Sequence, residues 1–152
     1  MKDDATDMAS IPEAQDARVQ YAALPYRPGK KLQILLITSR ETRRWVIPKG
    51  WPMKRRSAAE TAAREALQEA GVKGNISDQS VGFYRYLKRR PDGGFWLCDV
   101  EVFPLEVTHE EDTWREHDER TRRWCSVKQA AEAVDEPELK ALIKHFGKRK
   151  GR

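Results

Sequence analysis

Residues 31–38, KLQILLIT, are apolar and β-branched almost throughout, with Pro28 and Gly29 before them and the polar stretch 39–44 after them. A strand of this kind leaves no face for water, so it predicts a sheet covered on both sides. Residues 18–26 read as a preceding strand and 45–47, WVI, as a short third one. Residues 48–56 are punctuated by Pro and Gly and fit neither period, which predicts a loop. A helix follows over 58–70. Ser57 with Glu60 three residues on makes a capping box, and Gly71 supplies the stop.

Beyond Gly71, residues 80–89 and 94–107 have strand composition, and RPDGG between them is a hairpin turn. Residues 108–119, THEEDTWREHDE, read as an acidic loop with little to pack. Residues 122–127, RRWCSV, read as a further strand, and 128–146 as one or two helices broken near Pro137, which suits a new first turn. This order predicts an α/β (α+β) chain with one mixed sheet and helices packed against it. A doubly wound parallel fold would need more alternation.

The 152 residues fit one domain. We expect a flexible leader over 1–17, a folded domain over 18–146 and a solvated basic tail, GKRKGR, over 147–152. Cys98 and Cys125 lie far apart with no CxxC, which argues against a disulfide framework or a zinc site. No apolar segment approaches the ~18 residues that span a membrane, and no targeting pattern opens the chain, so a soluble cytoplasmic protein is expected. The net charge of +5 favours anionic partners, but 24 acidic residues stand against 29 basic ones. Phosphorylated metabolites fit that balance as well as nucleic acid does, and neither a recognition helix nor aromatic–basic alternation argues for the latter.

At about 100° per residue, Ala59, Ala63, Ala66, Leu67 and Ala70 share one arc of the helix, the expected core stripe. Glu65, Gln68 and Glu69 fall on the opposite arc and can converge on a divalent cation. By pattern alone this face also fits a solvated surface.

The wider segment 50–72, GWPMKRRSAAETAAREALQEAGV, resembles the signature of the Nudix hydrolases, G-x5-E-x7-R-E-U-x-E-E-x-G-U with U apolar. It matches at Gly50, Arg64, Glu65, Glu69, Gly71 and Val72, with Ala66 as a small U, and departs at Arg56 and Gln68, where the signature has glutamates. The resemblance extends over residues 18–146 and implies an α/β/α sandwich with a mixed sheet. It implies Mg²⁺ or Mn²⁺ held by Glu65, Glu69 and the backbone carbonyl of Lys49, with Gln68 as a weak neutral ligand. Glu65, Glu69 and Arg64 are the implied catalytic group, with Arg64 holding the carboxylates in place. The implied reaction is hydrolysis of a phosphoanhydride.

Within the family, the Ser39-Arg40 pair and RRWCSV look most like the branch acting on diphosphoinositol polyphosphates and diadenosine polyphosphates. By that likeness Arg18, Ser39, Arg40 and Arg120 are phosphate contacts. Arg44, Lys49, Gly50 and Arg56 join them as substrate-binding candidates around the box. The expected partner is a small polyphosphate substrate, with nucleic acid limited to a capped RNA end, on a monomer or homodimer. The losses at 56 and 68 keep an alternative open, a catalytically weakened ligand-binding module of the same fold. Glu110, Glu111, Glu116 and Glu119 are available as base or outer ligand, and Trp51 and Trp114 stand in loop contexts that permit contact with a ligand.

Overall fold

The computed structural model describes residues 17–150. The expected leader therefore lies, but for Ala17, outside the described residues. The chain runs β1 (Arg18–Arg27), β2 (Gln33–Thr38), β3 (Trp45–Val46), β4 (Lys49–Gly50), α1 (Ala58–Glu65), a π-helical turn (Ala66–Ala70), β5 (Val72–Ile76), β6 (Gly82–Arg89), β7 (Phe95–Glu110), β8 (Arg122–Ser126), α2 (Val127–Ala133) and α3 (Pro137–Lys150).

One mixed sheet holds the strands in the order β3-β2-β1-β7-β5, with β4 paired to β1, β6 to β7 and β8 to β2. β1 and β7 run parallel over nine residue pairs, from Arg18↔Cys98 to Tyr26↔Glu106. The other pairings between named strands are antiparallel. β2 is buried on both faces, as its composition requires. Ile34 and Leu36 join Ala22, Leu24, Tyr84 and Val102 under α2 and α3, where Leu139, Ile143 and Phe146 cover them. Leu35 and Ile37 join Ala23, Phe103 and Leu105 under α1, where Ala59, Ala62, Ala66 and Ala70 cover them. The result is the expected sandwich: a sheet with one core on each face. Among the described residues no helix is long and apolar enough to cross a membrane.

Four readings change. Residues 72–76 form a strand that their Gly and Asn content hides, paired to the far end of β7, which itself runs on to Glu110. Lys49 and Gly50, inside the expected loop, pair with Ala22 and Tyr21 of β1. α3 continues through Gly147 to Lys150, so the first four residues of the expected tail are helical. The fourth concerns α1. Its buried positions are Ala59, Thr61, Ala62, Ala66, Glu69 and Ala70, while Ala63 and Leu67 are only partly covered. The helix is thus rotated by about half a residue, or ~50°, from the arc its sequence suggested. Glu69 lies along the edge of the buried stripe and not opposite it.

Candidate active site

The capping box fixes where α1 begins. The Glu60 amide donates to Ser57 Oγ at 3.1 Å, and the Ser57 amide donates to Glu60 Oε1 at 2.8 Å. From that start, Glu65 and Glu69 come one turn apart on the side facing β4. Gly50 makes their approach possible, because a Cβ there would overlap the Glu65 carboxylate. The Lys49 amide donates to Glu69 Oε1 at 3.2 Å. The strand that carries Lys49 and Gly50 is therefore the wall against which both carboxylates rest.

Glu69 is only 8 % exposed. Burial, with a hydrogen bond to Glu65 adding to it, pushes its carboxyl up to about 8 against the pull of Arg120 and Lys49. Burial also raises Glu65, while its hydrogen bond to Glu69 lowers it. The pair thus holds a proton on Glu69 where two adjacent charges would repel. Arg120, 10 % exposed at its side chain, sits 3.8 Å from Glu69 Oε1. It donates to Glu116 Oε1 at 2.6 Å and to the Thr38 carbonyl at 3.0 Å. The expectation that Arg64 holds the cluster is corrected. Arg64 points from α1 to solvent and makes no ion pair with either glutamate among the described residues. Arg120 reaches them from across the molecule instead.

The acidic loop, expected to pack little, closes the end of α1. After the π-helical turn, Gly71 takes a left-handed φ of 68° and the chain reverses into β5. The Glu116 amide donates to the Gln68 carbonyl at 3.1 Å, and Trp114 Nε1 donates to the Glu69 carbonyl at 3.0 Å. Arg122 donates to the Ala70 carbonyl at 2.9 Å, and the Glu111 amide to that of Gly71 at 2.7 Å. Carbonyls that a helix end leaves without partners are met one after another, with an arginine at the negative end of the dipole. Trp114 is consequently seated on Gly71 and under Arg122, whose guanidinium lies 4.1 Å from its ring centre.

The remaining candidates divide by their partners. Ser39 Oγ bonds Thr42 at 2.6 Å and accepts from the Arg44 amide at 2.9 Å, so it shapes its own turn. Arg40 pairs with Glu119 at 3.1 Å, and Arg44 with Asp135 and Glu136 at 3.3 and 3.4 Å. Arg56 is exposed in the loop before α1, with no ion pair among the described residues. Arg18 lies at the other end of β1, its guanidinium 4.9 Å from the Trp96 ring centre. Of the loop acids, Glu116 acts on Glu65 by its charge. Sequence reading left it among four equals, because only the docking of the loop distinguishes it.

Glu65 and Glu69 offer carboxylate oxygens, and Gln68 follows the first by three residues on the same helix. Among the described residues no three His, Cys, Asp or Glu side chains group as a ready metal cage. Two carboxylates suit a small hard cation such as Mg²⁺, which is commonly held by one or two carboxylates together with substrate phosphates.

A family model described as the NUDIX domain matches residues 16–146. The chain is 36% identical over 124 residues to Nudix hydrolase 16, mitochondrial, of Arabidopsis thaliana, covering 79% of this chain and 68% of that one. It is 34% identical to Nudix hydrolase 13, mitochondrial, of the same plant, covering 76% of this chain and 60% of the other. The chain thus spans about two thirds or less of the length of these relatives. Among solved structures it resembles the binary complex of C. elegans Ap4A hydrolase, with a TM-score of 0.63 at 20% identity, covering 86% of this chain and 95% of that one. It also resembles the NUDIX domain of Shewanella oneidensis NrtR complexed with ADP ribose, with a TM-score of 0.61 at 13% identity, covering 94% and 97%. At these identities the solved structures speak for the fold.

Proposed function

The chain belongs to the Nudix hydrolase family, and on that premise we propose that it hydrolyses a phosphoanhydride with the help of a divalent cation, Mg²⁺ or Mn²⁺. The substrate we propose is of the diadenosine polyphosphate or diphosphoinositol polyphosphate type. The observation that carries this reading is the buried pair Glu65 and Glu69, pressed against the backbone of Lys49 and Gly50 with Arg120 beside it. Glu65, Glu69, the Lys49 carbonyl and, weakly, Gln68 would hold the cation. When bound, it neutralises the pyrophosphate and makes the phosphorus easier to attack. Arg120 keeps Glu69 oriented, and Glu116, brought against the pair by the docked loop, takes the proton of the attacking water. Arg40, whose exposed side chain is turned towards Glu119, lies where an incoming phosphate could replace that carboxylate.

Gln68 predicts a particular defect. A neutral oxygen in place of a carboxylate lowers the charge offered to the cation, so Gln68→Glu should lower the Mg²⁺ concentration for half-maximal activity by about tenfold. A Mg²⁺ titration of turnover checks this, and an unchanged half-point would show that residue 68 takes no part in holding the cation. The test of the reading itself is phosphate release from diadenosine tetraphosphate, a diphosphoinositol polyphosphate and a capped RNA end, with either cation and with EDTA. Release that needs the cation is expected. The missing carboxylates at 56 and 68 favour one second reading, a module that binds polyphosphate without cleaving it. Tight binding with no release from any of these anhydrides would establish that instead.

A further inference from the structure

α3 changes chemistry in its last turn. Leu139, Ile143 and Phe146 recur at helical spacing and are buried against the sheet. Arg149 and Lys150 follow Phe146 by three and four residues and continue the same stripe, so two cations stand where core-facing apolar side chains would be expected. Beneath them the sheet is not packed: a cavity of about 480 Å³ lies between the end of α3, the sheet and residues 77–81.

The strand register builds its floor. Tyr26 of β1 stands across from Glu106 of β7, and Asn75 of β5 stands across from the same Glu106 on the other side. Three polar side chains thus lie in one row over three strands, on the face that α3 covers, because Tyr26 belongs to the core of that face. The far wall is held in shape by the Ser77 hydroxyl, which donates to the Gln79 carbonyl at 3.3 Å and accepts from its amide at 3.1 Å.

The polar groups of this cavity do not satisfy one another. Among the described residues the side chains of Arg149, Lys150, Glu106, Asn75 and Tyr26 make no ion pair and no hydrogen bond. Elsewhere a cation beside an acid closes on it, as Arg27 does on Glu110 and Arg40 on Glu119. Here two cations on the wall and a carboxylate on the floor stay apart, which offers an anionic group and a hydroxyl-bearing group separate partners in one ligand. The rings leave little for a base to stack on. Tyr26 and Phe146 are 8 % and 1 % exposed, Phe146 meets Tyr26 edge-on at 4.9 Å, and the Lys150 ammonium lies 5.5 Å from the Tyr26 ring centre. The place is also distinct from the carboxylate pair: Tyr26 lies four residues, about 13 Å, along β1 from the Ala22 that pairs with Lys49, and α1 packs on the other face of the sheet.

We infer that this cavity is a second, non-catalytic binding site for a phosphorylated sugar, free or as the ribose phosphate of a nucleotide, with the phosphate on Arg149 and Lys150 and the sugar hydroxyls on Glu106 and Asn75. The test titrates ¹⁵N-labelled protein in EDTA with ribose 5-phosphate, AMP and inorganic phosphate, and reads the amide signals of residues 75–81. One or both sugar phosphates should saturate those shifts at least about tenfold more tightly than inorganic phosphate, the scale of hydrogen bonds to a charged group. Arg149→Met and Lys150→Met should each weaken that binding by at least about tenfold, and Glu106→Met should bring it to the level of inorganic phosphate. Lys144→Met, exposed on α3, should stay within about twofold, the range of an ordinary surface change. Ribose 5-phosphate binding at least as tightly as AMP assigns the free sugar phosphate, and tighter AMP assigns the nucleotide. Thermal melts confirm that the variants are folded, and any one folded cavity variant suffices. No saturable shift at 75–81, equal affinity for inorganic phosphate, or wild-type affinity in a folded cavity variant would overturn the site. Neither ligand nor readout involves Glu65 or Glu69, so the result is independent of the hydrolase reading.

Discussion

Replacing Glu69 with glutamine is expected to lower turnover at saturating Mg²⁺ by at least about a hundredfold, the scale of losing an interaction needed in the transition state. The change is nearly isosteric, so the Lys49 amide keeps an oxygen acceptor and the wall of the site stays in place. What is lost is the ability to ionise, and with it the second charge offered to a cation. The same variant separates charge from folding in the metal-free protein. Burial and the bond to Glu65 hold the Glu69 carboxyl at about 8, above its value of 4.5 when free. Between those values the folded chain holds more protons than the unfolded one, so stability falls as pH rises from about 5 to 8. Glu69→Gln removes the titrating group and should flatten that slope in EDTA. Melting curves at several pH values check it. A variant with full turnover and an unchanged pH slope would show that Glu69 does neither job.

Gly71→Val should be the most destabilising single change near the site. The position has φ of 68°, which a β-branched residue adopts with strain, and its Cβ would come 2.5 Å from Trp114 Cδ2 and 2.6 Å from Cε3. Left-handed backbone costs about 1–2 kcal/mol and overpacking about 1–3 kcal/mol more. Displacing Trp114 would also break its bond to the Glu69 carbonyl and loosen the loop that presents Glu116 and Arg120. For a chain of this size the melting temperature should fall by about 10 °C. The two causes separate in a Trp114→Ala background, where Gly71→Ala should cost less than it does alone, since the overlap is gone and only the backbone strain remains. A valine variant that melts with the wild type would show that the helix end is not locked as described.

How much of this was legible beforehand depended on where the signal lay. Short-range chemistry was fully readable: the Ser57–Glu60 box, the Gly71 stop, the hairpin at RPDGG and the two-sided burial of β2 all follow from residues within a few positions of one another. The rotation of α1 was not. A helix with alanine at 58, 59, 62, 63, 66 and 70 has apolar residues on more than one arc, so hydrophobicity alone does not choose the face. The sheet chose it, and brought Glu65 and Glu69 to the edge of the core. β5 was hidden because Lys73, Gly74 and Asn75 are poor strand formers, held there by the extension of β7. The acidic loop looked idle because its contacts are with backbone carbonyls, which carry no side-chain signature. Arg120 was legible as a phosphate contact, but its place beside Glu69 was not, because it lies far along the chain from that residue.

The claim on which the rest depends is that Glu65 and Glu69 exchange their shared proton for a divalent cation. Binding of Mn²⁺ followed by electron paramagnetic resonance, on the wild type and on Glu69→Gln at neutral pH, tests it without any choice of substrate. The account predicts that the wild type takes up Mn²⁺ with release of protons, that Mg²⁺ competes for the same place, and that Glu69→Gln weakens uptake by at least about tenfold. Equal Mn²⁺ binding by the two proteins would contradict it.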